Sequence, residues 1–82
     1  MWKEIDNKLI CEQQFESFTT AFSFLNEVAA LAMQFNHHPT IINEHTRVRL
    51  ELTTHDAGNV ITELDRQLAE AIERKMKRSS AM

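Results

Sequence analysis

The sequence predicts an α+β domain: an antiparallel four-stranded sheet with two helices packed on one face, in the order β-β-α-β-β-α. Three observations carry that expectation. Apolar residues recur at helical spacing from Ser17 to Asn36. A clean period-two alternation runs from Arg47 to Thr54. A second helical pattern opens at Thr62. With 82 residues, one Gly and one Pro, residues 1–82 read as one domain, too short for a Rossmann domain or a TIM barrel.

Leu9 to Phe15 is the first strand candidate, with Leu9, Cys11, Gln13 and Phe15 on one face. Ser17 caps the first helix. Phe18, Ala21, Phe22, Leu25, Val28, Ala29, Ala32 and Phe35 form its predicted buried stripe. Phe24 and Leu31 lie outside the centre of that stripe and widen it. An apolar arc so broad calls for a partner besides the helix's own sheet. Asn36 ends the helix, and Pro39 forbids its continuation through His38.

Ile41 to His45 reads as a short strand, with a turn near Thr46. In the next strand Val48, Leu50, Leu52 and Thr54 point inward, and Arg47, Arg49, Glu51 and Thr53 point outward. His55-Asp56-Ala57-Gly58-Asn59 is a turn in which Gly58 and Asn59 tolerate positive φ. Thr62 caps the last helix, and Asp65 forms a shorter version of the capping box. Leu64, Leu68, Ala71, Ile72 and Met76 are its buried stripe, and the helix runs to about Lys77.

Nine basic and twelve acidic residues leave a net charge of −3, which argues against direct nucleic-acid binding. Arg74, Lys75, Lys77 and Arg78 cluster where cations complement a helix C-terminus. No apolar run reaches the roughly 18 residues a membrane helix needs. The opening MWKEIDNKLI lacks the apolar centre of a signal peptide. The single Cys11 excludes an intrachain disulfide and fits a reducing cytoplasm, so a cytoplasmic location is expected. A monomer of this size buries only roughly 60–65 % of its unfolded surface, so self-association is expected to add stability.

The chemistry-bearing residues are His37, His38, His45 and His55. His37 and His38 follow a helix, and His55 follows a strand. Ends of elements are where a fixed backbone holds side chains over a cleft. From the residues alone three readings stand. Imidazoles can move protons at neutral pH. They can bind a metal, although no Cys or Glu pattern completes a zinc site. They can also be structural, with His37 or His38 capping helix carbonyls and His55 bracing its turn.

His37-His38-Pro39, then Val48 and Leu50, then Thr53-Thr54-His55-Asp56-Ala57-Gly58, resemble the pterin-4a-carbinolamine dehydratase family. Phe15, Phe18, Ala21, Phe22, Phe24-Leu25, Val28-Ala29 and Ala32 match that family's long helix. Thr62-Glu63-Leu64-Asp65 with Leu68-Ala69 matches its last helix, so the resemblance covers nearly the whole chain. It implies a lyase that removes water from 4a-hydroxytetrahydropterin to give quinonoid dihydropterin, with no metal and no organic cofactor. His37 and His55 would flank the C4a hydroxyl and the N5 proton as general acid and base. His38 would orient the pterin. Asp56, Pro39 and Ile41 would contact it, and Asp65 and Gly58 would support the site.

The resemblance further implies a homodimer joined at sheet edges, or a homotetramer through helix packing. Two other readings accompany the dehydratase. One is a dimerisation-cofactor-like interaction module on the same scaffold. The other is a histidine site for a different heterocycle or a metal. The chain departs from the family pattern at three places. Ile41 and His45 stand where aromatic residues are usual, and His45 reads as structural or as part of the rim. The segment 58–61 is one residue longer than usual, which either bulges or moves the helix start relative to His55.

Overall fold

Asp6 and Asn7 both take positive φ, at 50° and 63°. A two-residue hairpin of the I′ kind requires this, and Asp and Asn tolerate it better than other side chains. The turn joins β1 (Lys3–Ile5) to β2 (Lys8–Gln14). The structure, a computed structural model, describes residues 2–80. Strand β1 is three exposed residues, too short for alternation to reveal.

After α1 (Phe18–Phe35) come β3 (Thr40–Glu44), β4 (Arg47–Leu52), a 3-10 turn (His55–Ala57) and α2 (Glu63–Ser80). The strands form one antiparallel sheet in the order β1-β2-β4-β3. Register places Leu9 opposite Leu52, Cys11 opposite Leu50 and Gln13 opposite Val48. The inward residues of β2 and β4 are buried in one core with side chains of both helices, so both helices cover the same sheet face. The expected α+β architecture is the observed one. Strand β4 stops at Leu52, two residues short of the predicted end, and Thr54 instead makes a single bridge to Val60.

Ser17 caps α1 as predicted: its Oγ accepts from the Thr20 N–H at 3.1 Å. The buried face of α1 is displaced from the predicted stripe. Phe24 is fully buried, while Phe18 and Phe22 are about half exposed, at 49 % and 50 %. Ala21, Phe24, Leu25, Val28 and Ala32 make the core face. Phe24 packs on Phe15 with ring centroids 5.0 Å apart. The apolar arc is wider than any one contact, so periodicity cannot choose its middle. The packing of α1 beside α2 chooses it.

Helix α2 buries Leu68, Ala69, Ile72 and Met76 against this core. Leu64 and Ala71, also predicted to be inward, are half-buried. Asp65 is fully buried beside the apolar residues. The Trp2 indole N–H donates to the Ala69 carbonyl at 3.1 Å and ties the start of the sheet to this helix. Among the described residues, no helix is long and apolar enough to cross a membrane.

The opposite sheet face carries paired charges. Arg49 bonds Glu51 at 2.9 Å and Glu12 at 3.3 Å. The Arg49 bond holds the Glu51 carboxyl below its ordinary value. In the C-terminal cluster Arg74 pairs with Glu70, Lys75 with Glu27 and Lys77 with Glu73. These cations are partnered, and the side chain of Arg78 lies outside the described part.

Candidate active site

The site begins where α1 ends. Asn36 takes the left-handed conformation at φ 52°, and the next N–H, that of His37, bonds the Ala32 carbonyl at 3.0 Å. That cap reverses the chain. The His37 ring is tucked in, with only 12 % of its side chain exposed. Pro39 then stiffens the entry to β3.

The second wall is the turn after β4. The Thr54 N–H donates to the Val60 carbonyl at 2.9 Å, and the Thr54 carbonyl accepts from the Asn59 N–H at 3.0 Å. Residues 55–59 are thereby clipped into a closed loop. Gly58 and Asn59 both take positive φ, at 92° and 61°, as the turn chemistry predicted. The His55 ring nitrogen Nδ1 lies 2.6 Å from Asn59 Oδ1.

Asp65 joins the two walls. Its Oδ2 accepts from the Thr54 hydroxyl at 2.6 Å and from the Thr62 N–H at 2.9 Å. The second of these bonds is the reciprocal half of the capping box, so this carboxylate also caps α2. Its Oδ1 is bonded by His37 Nε2. Burial alone would push the Asp65 carboxyl up. The bonds from Thr54, Thr62 and His37 outweigh burial and hold it below the ordinary carboxylate value. An ionised carboxylate only accepts, so His37 Nε2 carries the proton of this bond. The Nδ1 of His37 is left without a partner in the network.

His37, His38, Thr54, His55 and Asp56 line one cleft of about 250 Å³, closed by Asn36, Thr53 and Leu64. Three of the four histidines therefore converge from two separate elements. Pro39 and Ile41 are not in its lining; Ile41 is 43 % exposed on the edge strand β3. Gly58 closes the 3-10 turn behind His55, through its N–H to the His55 carbonyl at 3.0 Å. His45 sits at φ 54° in the β3–β4 turn, outside the lining. Asp65 lies behind the cleft wall rather than in it. Beyond segment 58–61, α2 starts at Glu63 and Asp65 meets both Thr54 and His37.

The sequence reading gave two residues no role at the site: Thr54 stood there as an inward strand residue and as part of the motif around His55, and Asn59 as a turn residue. Their partners are fixed by the folded loop. Among the described residues, no three His, Cys, Asp or Glu side chains converge as a metal-ligand set.

A family model for Pterin 4 alpha carbinolamine dehydratase matches residues 1–75. The chain belongs to this family. A pterin-4-alpha-carbinolamine dehydratase of Prochlorococcus marinus strain NATL2A, so named provisionally, is 45 % identical over 71 residues. That match spans 85 % of this chain and 74 % of the relative. The crystal structure of a transcriptional coactivator/pterin dehydratase from Brucella melitensis superposes with a TM-score of 0.85 at 33 % identity. It covers 90 % of this chain and 80 % of that one. A pterin dehydratase-like protein described as a RuBisCO assembly factor of the α-carboxysome shares the fold, with a TM-score of 0.73 at 24 % identity. It covers 92 % of this chain and 86 % of its own. The dehydratase family fold is thus the frame that brings His37, His38 and His55 together.

Proposed function

We propose that this chain is a hydro-lyase that converts 4a-hydroxytetrahydropterin to quinonoid dihydropterin. The convergence of His37, His38 and His55 on one cleft, with His37 anchored to the buried Asp65, carries this reading. The reaction transfers no net electrons. It needs one proton delivered to the C4a hydroxyl, so that water can leave, and one proton taken from N5, so that the C4a=N5 bond can form. Two anchored imidazoles on either side of that bond supply both transfers, each worth about 10²–10⁴-fold. His38, exposed at the cleft mouth, orients the pterin, and Asp56 bonds its polar edge. The test is an assay on enzymically generated 4a-hydroxytetrahydropterin, comparing wild type with His37→Ala. A wild-type rate no faster than the spontaneous reaction rejects the proposal.

The same reading includes a cytoplasmic location and self-association as a dimer or tetramer. Phe18, Phe22 and Met33 of α1 and Ile41 and Ile42 of the edge strand β3 are exposed, which supports a second copy as their cover. Light scattering at micromolar concentration checks it, and a stable monomer rejects it.

The exposed α1 residues also favour a second reading, an interaction module on the same scaffold. A pull-down with wild type and with the His37→Ala variant separates the two. A module keeps its partner without the histidine and shows no dehydratase activity.

A further inference from the structure

His37 and His55 face one cleft but are held by different atoms. His37 is gripped through Nε2 by Asp65. His55 is gripped through Nδ1 by Asn59 Oδ1 at 2.6 Å. An amide oxygen only accepts, so the contact requires a proton on His55 Nδ1, which in the neutral ring leaves the lone pair on Nε2. Free backbone would not hold Asn59 in place, but two features do. Its left-handed φ of 61° is one that Asn tolerates, and its N–H is bonded to the Thr54 carbonyl at 3.0 Å. His55 is exposed, so no packing fixes its ring. Among the described residues, the Asn59 bond is the one side-chain bond at His55 that can set its tautomer.

We propose that Asn59 is the positioning residue for His55, fixing the Nδ1–H tautomer and presenting Nε2 to the cleft. Its catalytic consequence rests on the dehydratase reading; its effect on the ring does not. Proton transfer then runs through Nδ1 at His37 and Nε2 at His55: the imidazole that acts as base is neutral with a lone pair at that atom, and the one that acts as acid carries its added proton there. Substrate binding is not the task of Asn59, which lies outside the cleft lining. Its loss therefore acts on kcat more than on KM.

The test uses the full chain with 15N-labelled histidine rings, at a pH where the His55 ring is neutral. Wild type is expected to show a protonated Nδ1 and a lone-pair Nε2 at His55. Asn59→Gly keeps the left-handed backbone and removes the acceptor; the ring then gains the Nε2–H form. In the dehydratase assay the same variant loses about tenfold or more in kcat with KM within about twofold. Asn59→Asp keeps an accepting oxygen and is expected to keep the wild-type tautomer at His55. An Nε2-protonated ring in the wild type, a ring spectrum unmoved by Asn59→Gly, or an unchanged kcat overturns the proposal. If wild type proves inactive as a dehydratase, the ring spectra alone decide the positioning role, and the two failures stay separate.

Discussion

The His37 imidazole donates through Nε2 to the Asp65 carboxylate, so the residue just past the end of α1 is held by the first turn of α2. One buried acid thus performs two tasks: it caps a helix through the Thr62 N–H and orients an imidazole.

Asp65→Asn is expected to cost about 2–3 kcal/mol at pH 7, since it removes the charge that several donors are arranged around. The pH dependence follows from the lowered carboxyl of Asp65. A depressed folded-state value means its contribution is complete above the unfolded value of about 3.9 and is lost as pH falls through the lower folded value. The stability gap between wild type and variant therefore narrows in acid. Urea unfolding at pH 7 and at steps below about pH 4 reads it; a gap that is constant with pH contradicts this account.

Thr54 supplies the shortest bond to that carboxylate that is not from His37. Thr54→Val removes the donor and is expected to cost about 1–3 kcal/mol, with acid unfolding moved to higher pH. Thr54→Ser retains the hydroxyl and recovers most of the loss. Equal behaviour of the two variants in an acid titration followed by circular dichroism would show that shape, not the hydroxyl, matters.

His37→Ala and His55→Ala are each expected to lower the dehydration rate about 10²–10⁴-fold. His38→Ala is expected to raise KM with a smaller effect on kcat, because it orients the pterin without moving protons in the proposed mechanism. Steady-state kinetics separate the three, and a His38→Ala variant with unchanged KM removes its binding role.

Phe24→Ala is expected to cost about 3–5 kcal/mol as a core truncation. Phe22→Ala, half exposed, is expected to change the stability of the dissociated chain by only about 0.5 kcal/mol. Denaturant unfolding at low protein concentration checks both, and similar costs would return Phe22 to the core.

The particular residues show where sequence reading succeeds. The Arg47–Leu52 strand alternates because one face is core and the other is water, and that contrast is written in the chain. Ser17 and Asn36 mark helix ends through local backbone chemistry, which needs no distant partner. His37, His38 and His55 were legible as candidates because each lies at an element's end. Phe24 was misplaced because an all-apolar arc carries no sign of which part meets α2. The Asp65–His37 bond spans 28 positions of sequence, so no local pattern encodes it. Asp65 instead looks like an ordinary helix cap, which it also is. Ile41 lies outside the cleft lining, on the edge strand β3 and 43 % exposed, a placement that the motif around His37 and His38 does not encode.

The Thr54–Val60 bridge seals the 55–59 loop before the chain reaches α2. Its two ends are pinned to each other, and the Thr54 hydroxyl also bonds Asp65 at 2.6 Å and meets the Thr62 hydroxyl at 2.7 Å. The loop that carries His55 and the acid that holds His37 therefore hang from one post. A change inside 55–59 acts first on His55, whereas a change at Thr54 is felt by both imidazoles at once. The two halves of the site are hinged on a single residue that carries no proton of the reaction.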